Sequence, residues 1–432
     1  MAREQDSMHI AVIGAGVVGV TTAYALRKRG HDVTVIERHA NAGLETSFGN
    51  AGQRSYGVVY PWASAAMVRQ ALPWLLKTDG PLKLSLPPSL ESWRFLLASL
   101  RFAYAPGVYG GNKRAMLRMG LFSRRCFETL EQELSLTFDG GHRGLLQLAS
   151  SPAMMAEYRA TATVLDELAI PYRLLGPREV RALEPGMVGD GPLHGAIRYE
   201  TDGTGDCHLF SQALAQICLD RGVRFLYQHQ VERLLADRQR LHGLMLRPAE
   251  GRNVTLDIDA AVVCAGCWSP GLLAELGLRL PIYPVKGYSL TAPITDAQRA
   301  PVSTVHDDNY KVVSTRLGDR LRATGFVELA DYRRSIPAAR LATIRKSVAA
   351  RFPGCADLDH ADAWTGFRPM TPDGPAILGR GPRDNLYLNT GHGTFGWTLS
   401  AGSAELLAQL VDGEPTAMAL DAFRPDRFQA GH

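Results

Sequence analysis

The stretch His9–Glu37, HIAVIGAGVVGVTTAYALRKRGHDVTVIE, constrains the chain more than any other. It reads as strand, glycine turn, helix and second strand. The apolar run Ile10–Ile13 leads into Gly14-x-Gly16-x-x-Gly19, an apolar helix reaches Arg29-Gly30, and another apolar run ends at Glu37. Gly14 suits a tight turn, Gly16 lets the backbone approach a pyrophosphate, and Gly19 lets the helix pack close on the strand. Val17 and Val18 stand in the first helical turn, where unpaired N–H groups and the positive dipole end face a phosphate. Glu37 can accept hydrogen bonds from ribose hydroxyls, and Arg38 follows it. A glycine pattern alone is weak evidence. Strand, helix, strand and acid together predict a bound adenine dinucleotide, and they leave open whether it is NAD or FAD.

A chain of 432 residues has room for two domains with sizeable cores. With 46% hydrophobic and 21% charged residues, its composition is that of a globular protein. The net charge of +4 comes from scattered basic residues, which argues against nucleic acid as a partner. The six cysteines form no disulfide framework, and the CxxC of Cys264 and Cys267 has no second ligand pair, so no metal is expected. Met1–Met8 is polar and no apolar run is long enough to span a bilayer, so the expected location is cytoplasmic. Residues 61–109 carry Trp62, Trp74, Trp93, Phe95, Phe102, Tyr104 and Tyr109 among leucines and basic residues. That segment reads either as a helical layer over an active site or as a surface lying on the cytoplasmic face of a bacterial inner membrane.

Along the chain, Gly43–Gly57 reads as a loop and 61–135 as helical, with breaks at Pro87-Pro88 and Pro106-Gly107. Helices are expected at Ala153–Leu168, Gly205–Arg221, Ala338–Phe352 and Ser400–Val411, with antiparallel strands over Leu280–Thr324. Asn389–Ser400, NTGHGTFGWTLS, is a second strand–glycine turn–helix unit. A nicotinamide enzyme needs no second cradle of this kind. A flavin does, because reduction places negative charge at its pyrimidine edge, where a helix N-terminus stabilises it.

Several longer strings carry a family likeness: Leu44-Glu45-Thr46-Ser47 with Asn50-Ala51-Gly52-Gln53, Thr204-Gly205-Asp206-Cys207, Pro284–Leu290 (PVKGYSL), Thr365–Gly374 (TGFRPMTPDG) and Asn389–Thr398. On these the chain resembles, nearly end to end, the bacterial D-amino acid dehydrogenase family among the glycine-oxidase and D-amino-acid-oxidase-like flavoproteins. The resemblance implies an α/β fold with a Rossmann-like FAD-binding domain of the D-amino acid oxidase (GR2) type, discontinuous over 8–60, 195–280 and 364–420. A discontinuous α+β substrate domain on an antiparallel sheet would take 61–194 and 281–363. It further implies non-covalent FAD, and oxidative deamination of D-amino acids to 2-oxo acids and ammonia by hydride transfer from Cα to flavin N5. Electrons would pass to a quinone or other respiratory acceptor. On this resemblance Gly14, Gly16, Val17, Val18, Gly19, Glu37 and Arg38 take the ADP half, with Val231 beside the adenine. Ala265 and Gly266 flank the pyrophosphate or ribityl chain. Thr46, Ser47, Asn50, Ala51, Gly52 and Gln53 lie along the ring, and Gly391, His392, Gly393, Thr394, Gly396 and Thr398 border its pyrimidine end. Trp268 reads as packing, and His392 as a structural hydrogen bond within its turn.

A guanidinium fork grips a carboxylate with both orientation and charge. Arg368 matches the family's carboxylate-binding arginine, the bland alternative being a surface ion pair. Tyr310, on an expected strand NYKVVST, resembles the tyrosine that closes over the carboxylate. One departure is that Thr394-Phe395-Gly396 stands where glycine-oxidase-like relatives carry an arginine, which would admit larger, less polar side chains. No acid–base dyad is visible, and hydride transfer needs none if the amine enters neutral. The rival readings are an oxidase of the same fold that makes hydrogen peroxide, a D-hydroxyproline or secondary-amine dehydrogenase, and a flavin-binding subunit inactive without partners.

Overall fold

A computed structural model describes residues 7–65, 67–69, 80, 82–85 and 87–429. Trp74 of the aromatic segment therefore lies outside the described residues. A six-stranded sheet runs in the order Ile377–Arg380, Leu386–Thr390, Ala260–Val263, His9–Ile13, Asp32–Ile36, Arg224–Leu226. Its neighbours pair in parallel, except the antiparallel edge strand Ile377–Arg380. The central strands are buried on both faces, which is why they read as unbroken runs of Val, Ile and Ala rather than as alternating patterns. Helices Val17–Lys28, Cys207–Asp220 and Gly396–Val411 cover one face through Val20, Leu214 and Leu407. A three-stranded antiparallel layer, His229–Ala236, Leu241–Pro248 and Val254–Asp257, supplies Leu234, Leu244 and Leu246 to the other.

The first helix has no side-chain cap of its own at Gly16; the Val17 N–H instead donates to Ser47 Oγ at 3.0 Å. Its approach to the preceding turn is the tightest in the fold's centre. A Cβ on Gly19 would lie 1.8 Å from the Gly14 carbonyl oxygen. Thr21 Oγ1 donates to the Ser400 carbonyl at 3.2 Å, which ties the first helix to the last long one.

A nine-stranded sheet forms the second layer. Its order is Asp362–Met370, Tyr283–Pro293, Arg320–Leu329, Val312–Leu317, Thr304–Asp307, Leu145–Ala149, Gly195–Tyr199, Tyr172–Leu175, with Leu82–Leu84 paired to Arg320–Leu329. Pairing is antiparallel as expected, except where Thr304–Asp307 meets Leu145–Ala149 and where Leu82–Leu84 joins. Two of its strands lie at the expected boundaries 195 and 364. Gly195–Tyr199 and Asp362–Met370, assigned from sequence wholly or mostly to the nucleotide side, hydrogen-bond into the larger sheet. A buried strand carries the same apolar pattern in either layer, so the sequence does not mark which one it joins. The region 61–135 is also not purely helical. It holds the strand Leu82–Leu84 before the helices Leu90–Tyr104 and Val108–Glu133. The last long helix begins at Gly396, earlier than Ser400.

Gly19→Ala is expected to lower the unfolding free energy by about 3 kcal/mol or more, because the clash is with backbone that cannot rotate away. Urea denaturation followed by far-UV circular dichroism would check it, and an unchanged midpoint would show that the helix does not need this close approach.

Candidate active site

A cavity of about 1450 Å³ lies between the two sheets and is lined by residues of both. At one end stand Gly14, Gly16, Val17 and Val18 of the first glycine turn and helix. Glu37 closes that end, its carboxylate accepting the Ala15 N–H at 2.7 Å and the His39 N–H at 2.9 Å. Arg38 lies with its guanidinium carbon 3.7 Å from the centre of the Trp268 ring, so Trp268 packs as expected and also borders the cavity. Val231, Ala265 and Gly266 line the same side.

Two loops continue the wall. In the first, Thr46 Oγ1 donates to the Phe367 carbonyl at 2.6 Å and Asn50 Oδ1 accepts the Gly52 N–H at 3.0 Å. Arg322 donates from the larger sheet to the Phe48 carbonyl at 3.3 Å, which anchors this loop over the cavity. The second loop turns through positive φ at Gly391 (69°) and Gly393 (57°), and the helix that follows starts without a side-chain cap. His392 Nε2 lies 3.1 Å from Ser403 Oγ on the following helix, a structural bond that leaves the turn rather than closing within it as expected. Burial pushes its pKa down to about 4, so the ring is neutral at physiological pH.

Among the flavin-side positions expected from sequence, Gly14, Gly16, Val17, Val18, Glu37, Arg38, Thr46, Ser47, Asn50, Ala51, Gly52, Gln53, Val231, Ala265, Gly266, Gly391, His392, Gly393, Thr394 and Gly396 border this one cavity. Gly19 and Thr398 do not. Gly19 serves the helix–turn contact, and Thr398 Oγ1 accepts the Ser55 N–H at 3.0 Å, behind the wall. Four buried polar atoms of cavity-lining residues have no hydrogen-bond partner among the described residues: Gln53 Oε1, Trp62 Nε1, Asn389 Oδ1 and Trp397 Nε1. Unsatisfied buried groups are costly and rare in folded proteins. Those atoms are closed off from the cavity, so the fit to a flavin rests on the two uncapped helix starts, at Gly16 and Gly396, that border it. The residues present fit FAD.

Arg368 lies on the wall formed by the larger sheet. Its NH1 donates to the Phe326 carbonyl at 3.0 Å, with the Lys286 carbonyl at 3.4 Å. No carboxylate pairs with it among the described residues, so the surface ion pair is not what forms. Burial pushes its pKa down to about 10, which leaves it a cation at neutral pH. Gly287 of the PVKGYSL string makes room, since a Cβ there would lie 2.4 Å from the Arg368 guanidinium. Tyr310 is a correction. It sits in the turn before Val312–Leu317 rather than on a strand, and its ring packs against the apolar cluster around Val312 and Ile344 instead of lining the cavity. Its expected strand position fails because Lys311 takes a positive φ of 54°, which breaks the extended run. The CxxC thiols are buried and inert: Cys264 is pushed up to about 12 and Cys267 higher still. No cluster able to hold a metal is found among the described residues.

Sequence reasoning missed Tyr60, Gln147, His306, Asp308 and Lys311, which face the cavity away from the glycine turns. No spacing announces them, because they meet only through the pairing of Leu145–Ala149 with Thr304–Asp307.

Two glycine turns, each leading into a helix, on one cavity are the arrangement of a dinucleotide-binding protein. Comparison with known proteins makes the class specific. The description of the DAO family, FAD dependent oxidoreductase, matches residues 9–410. A D-amino acid dehydrogenase of Cereibacter sphaeroides is 46% identical over 407 residues, covering 94% of this chain and 92% of that protein. Among solved structures, glycine oxidase from Geobacillus kaustophilus aligns with a TM-score of 0.73 at 23% identity, over 98% of this chain and 99% of that one. L-proline dehydrogenase from P. horikoshii aligns with a TM-score of 0.74 at 19% identity, over 98% of each chain. The chain belongs to the FAD dependent oxidoreductase family.

The neutral, buried His392 carries a pH consequence. Its folded pKa of about 4 lies below the ordinary 6.5, so between these values the unfolded chain binds more protons. Stability therefore falls as pH drops through that window, by on the order of 3 kcal/mol at pH 4. His392→Asn should flatten this part of the acid limb in urea denaturation measured from pH 7 to about pH 4; an identical limb would show that His392 is not the group responsible.

Proposed function

We propose that the protein oxidatively deaminates D-amino acids to 2-oxo acids and ammonia and passes the electrons to a membrane quinone rather than mainly to oxygen. The observation that carries the reading is Arg368, a half-buried guanidinium with no acidic partner among the described residues, on the cavity wall. A half-buried cation without a counter-charge is costly, and an incoming carboxylate removes that cost while its two oxygens fix the substrate's orientation. The two backbone carbonyls that hold Arg368 keep the fork aimed into the cavity before substrate arrives. FAD, when bound, supplies the two-electron acceptor for the substrate's Cα–H. The uncapped start of the helix at Gly396 directs backbone N–H groups and a positive dipole end toward the cavity, where negative charge develops. The names of the 46%-identical relatives support the D configuration and a dehydrogenase rather than an oxidase.

Helix Leu90–Tyr104 supports the membrane side of the proposal. Its inner face buries Ser92, Phe95, Ser99 and Ala103, with Phe95 stacked between Trp62 and Tyr283, which supports the helical-layer reading for this helix. Its outer face exposes Leu90, Trp93, Leu97, Leu100 and Tyr104, a continuous apolar stripe flanked by the cations Arg94 and Arg101. Trp93, Leu97 and Leu100 also border the cavity, which gives an apolar acceptor a route from a bilayer to the flavin. No described helix is long and apolar enough to cross a membrane.

Arg368→Ala should raise KM for a D-amino acid by about 100-fold, the loss of a charge-assisted bidentate contact, while the purified protein keeps its flavin absorbance. Unchanged KM would remove Arg368 from the substrate site. Oxygen-electrode rates should stay far below those with a quinone analogue, and brisk peroxide formation would favour the oxidase. Leu97→Glu should weaken co-sedimentation with anionic phospholipid vesicles about tenfold; undiminished binding would place any membrane contact elsewhere.

A further inference from the structure

Across the larger sheet from Arg368, the cavity ends in a polar cluster that deamination itself does not require. Three donors converge on Asp308. Gln147 Nε2 donates at 2.7 Å, Tyr158 OH at 2.5 Å and Lys311 Nζ at 2.8 Å, and His306 Nε2 lies 3.6 Å from the same carboxylate. Burial alone would raise Asp308, but His306 and Lys311 hold it down to about 2, so it stays ionised. Burial pulls the His306 imidazole below its ordinary value. The charge that faces the cavity is therefore the ammonium: 29% of the Lys311 side chain is open, against 5% of Asp308. Lys311 is held at φ +54°, a conformation that side-chain-bearing residues rarely adopt, and that turn sets it on the cavity wall.

The sheet supplies a ruler. The Arg368 guanidinium lies over Gly287 on Tyr283–Pro293. From there the order runs through Arg320–Leu329 and Val312–Leu317 to Thr304–Asp307, which carries His306. Three strand spacings are about 14 Å. A five-carbon amino acid with a hydrogen bond at each end spans about 12 Å, and the long Lys311 side chain closes the difference. Val313 lies on the wall between the two ends and offers an apolar surface to a substrate's methylene groups.

Resting on the D-amino acid reading above, we infer that the wall of Gln147, His306, Asp308 and Lys311 is a distal subsite for the side-chain end of the substrate. It takes a hydrogen-bond acceptor, the carboxylate or carboxamide of the D-glutamate and D-glutamine class, and rejects a cationic end. Asp308 cannot serve a cationic side chain, because its oxygens already hold three donors and Lys311 stands in front of it.

The test is kcat/KM of the purified holoenzyme with a dye acceptor for D-alanine, D-glutamate, D-glutamine and D-lysine. The native enzyme should favour D-glutamate over D-lysine by about tenfold or more. In Lys311→Met the D-glutamate to D-alanine ratio should fall about tenfold, and the D-lysine to D-alanine ratio should rise as Asp308 loses its cation. General damage to the fold would lower all rates together and leave both ratios unchanged; unchanged ratios overturn the subsite. If the variant does not fold, the native panel decides alone, and D-lysine used as well as D-glutamate overturns the subsite while D-alanine turnover keeps the deamination reading. Turnover of none of the four would reject the deamination reading and the subsite with it.

Discussion

The close packing of the first helix against its own turn, and of the last long helix against the first, is the constraint on which the rest depends. Gly19 removes the side chain that would collide with Gly14, and Thr21 bonds the Ser400 carbonyl across the helix pair. Asn389 Nδ2 donates to Thr22 Oγ1, which fixes the strand before the second glycine turn to the same helix. Gly402 lets the last helix approach Ser123, where a Cβ would lie 2.7 Å from the Ser123 Cα. These contacts bring helix N-termini from opposite ends of the chain to one cavity. Each N-terminus alone attracts a phosphate or a partial negative charge. Held together at one cavity, they suit a ligand with a pyrophosphate and a ring that becomes electron-rich.

The electrostatics of the cavity follow from what faces it. Glu37 is committed to backbone N–H groups at the nucleotide end, and Asp308 is committed to Gln147, Tyr158 and Lys311 at the far end. The guanidinium of Arg368 has no carboxylate partner among the described residues, and the ammonium of Lys311, paired with Asp308, is the more open member of its pair. A pocket with cations at its ends and apolar residues between them orients an anionic substrate by charge and discriminates by length. Binding such a substrate also stabilises the fold, since it neutralises a half-buried cation that has no carboxylate partner among the described residues.

The features that lie within a few consecutive residues were legible in the sequence. Both glycine turns are local, and Arg368 sits inside a string long enough to carry a family likeness. The nearly unbroken apolar strands of the nucleotide sheet announced themselves as well. What required long-range pairing was not legible. Gln147 and His306 become neighbours only because strands far apart in sequence align in parallel. Gly195–Tyr199 and Asp362–Met370 pair into the larger sheet, and burial looks the same in either layer. Apolar and β-branched neighbours suggest a strand at Tyr310, yet the left-handed turn at Lys311 sends its ring to the apolar core and puts the lysine on the cavity wall. Thr398 lies off the cavity lining for a related reason: the helix starts at Gly396, and the Thr398 hydroxyl accepts the Ser55 N–H.

The central claim is that the cavity holds FAD with a D-amino acid presented by Arg368. Anaerobic mixing of the purified flavoprotein with D-alanine or L-alanine, followed by the visible absorbance of the oxidised flavin, tests it most directly. The account predicts rapid bleaching by the D-enantiomer and none by the L-enantiomer. Bleaching by both alike, or by neither D-alanine nor any longer D-amino acid, would contradict it.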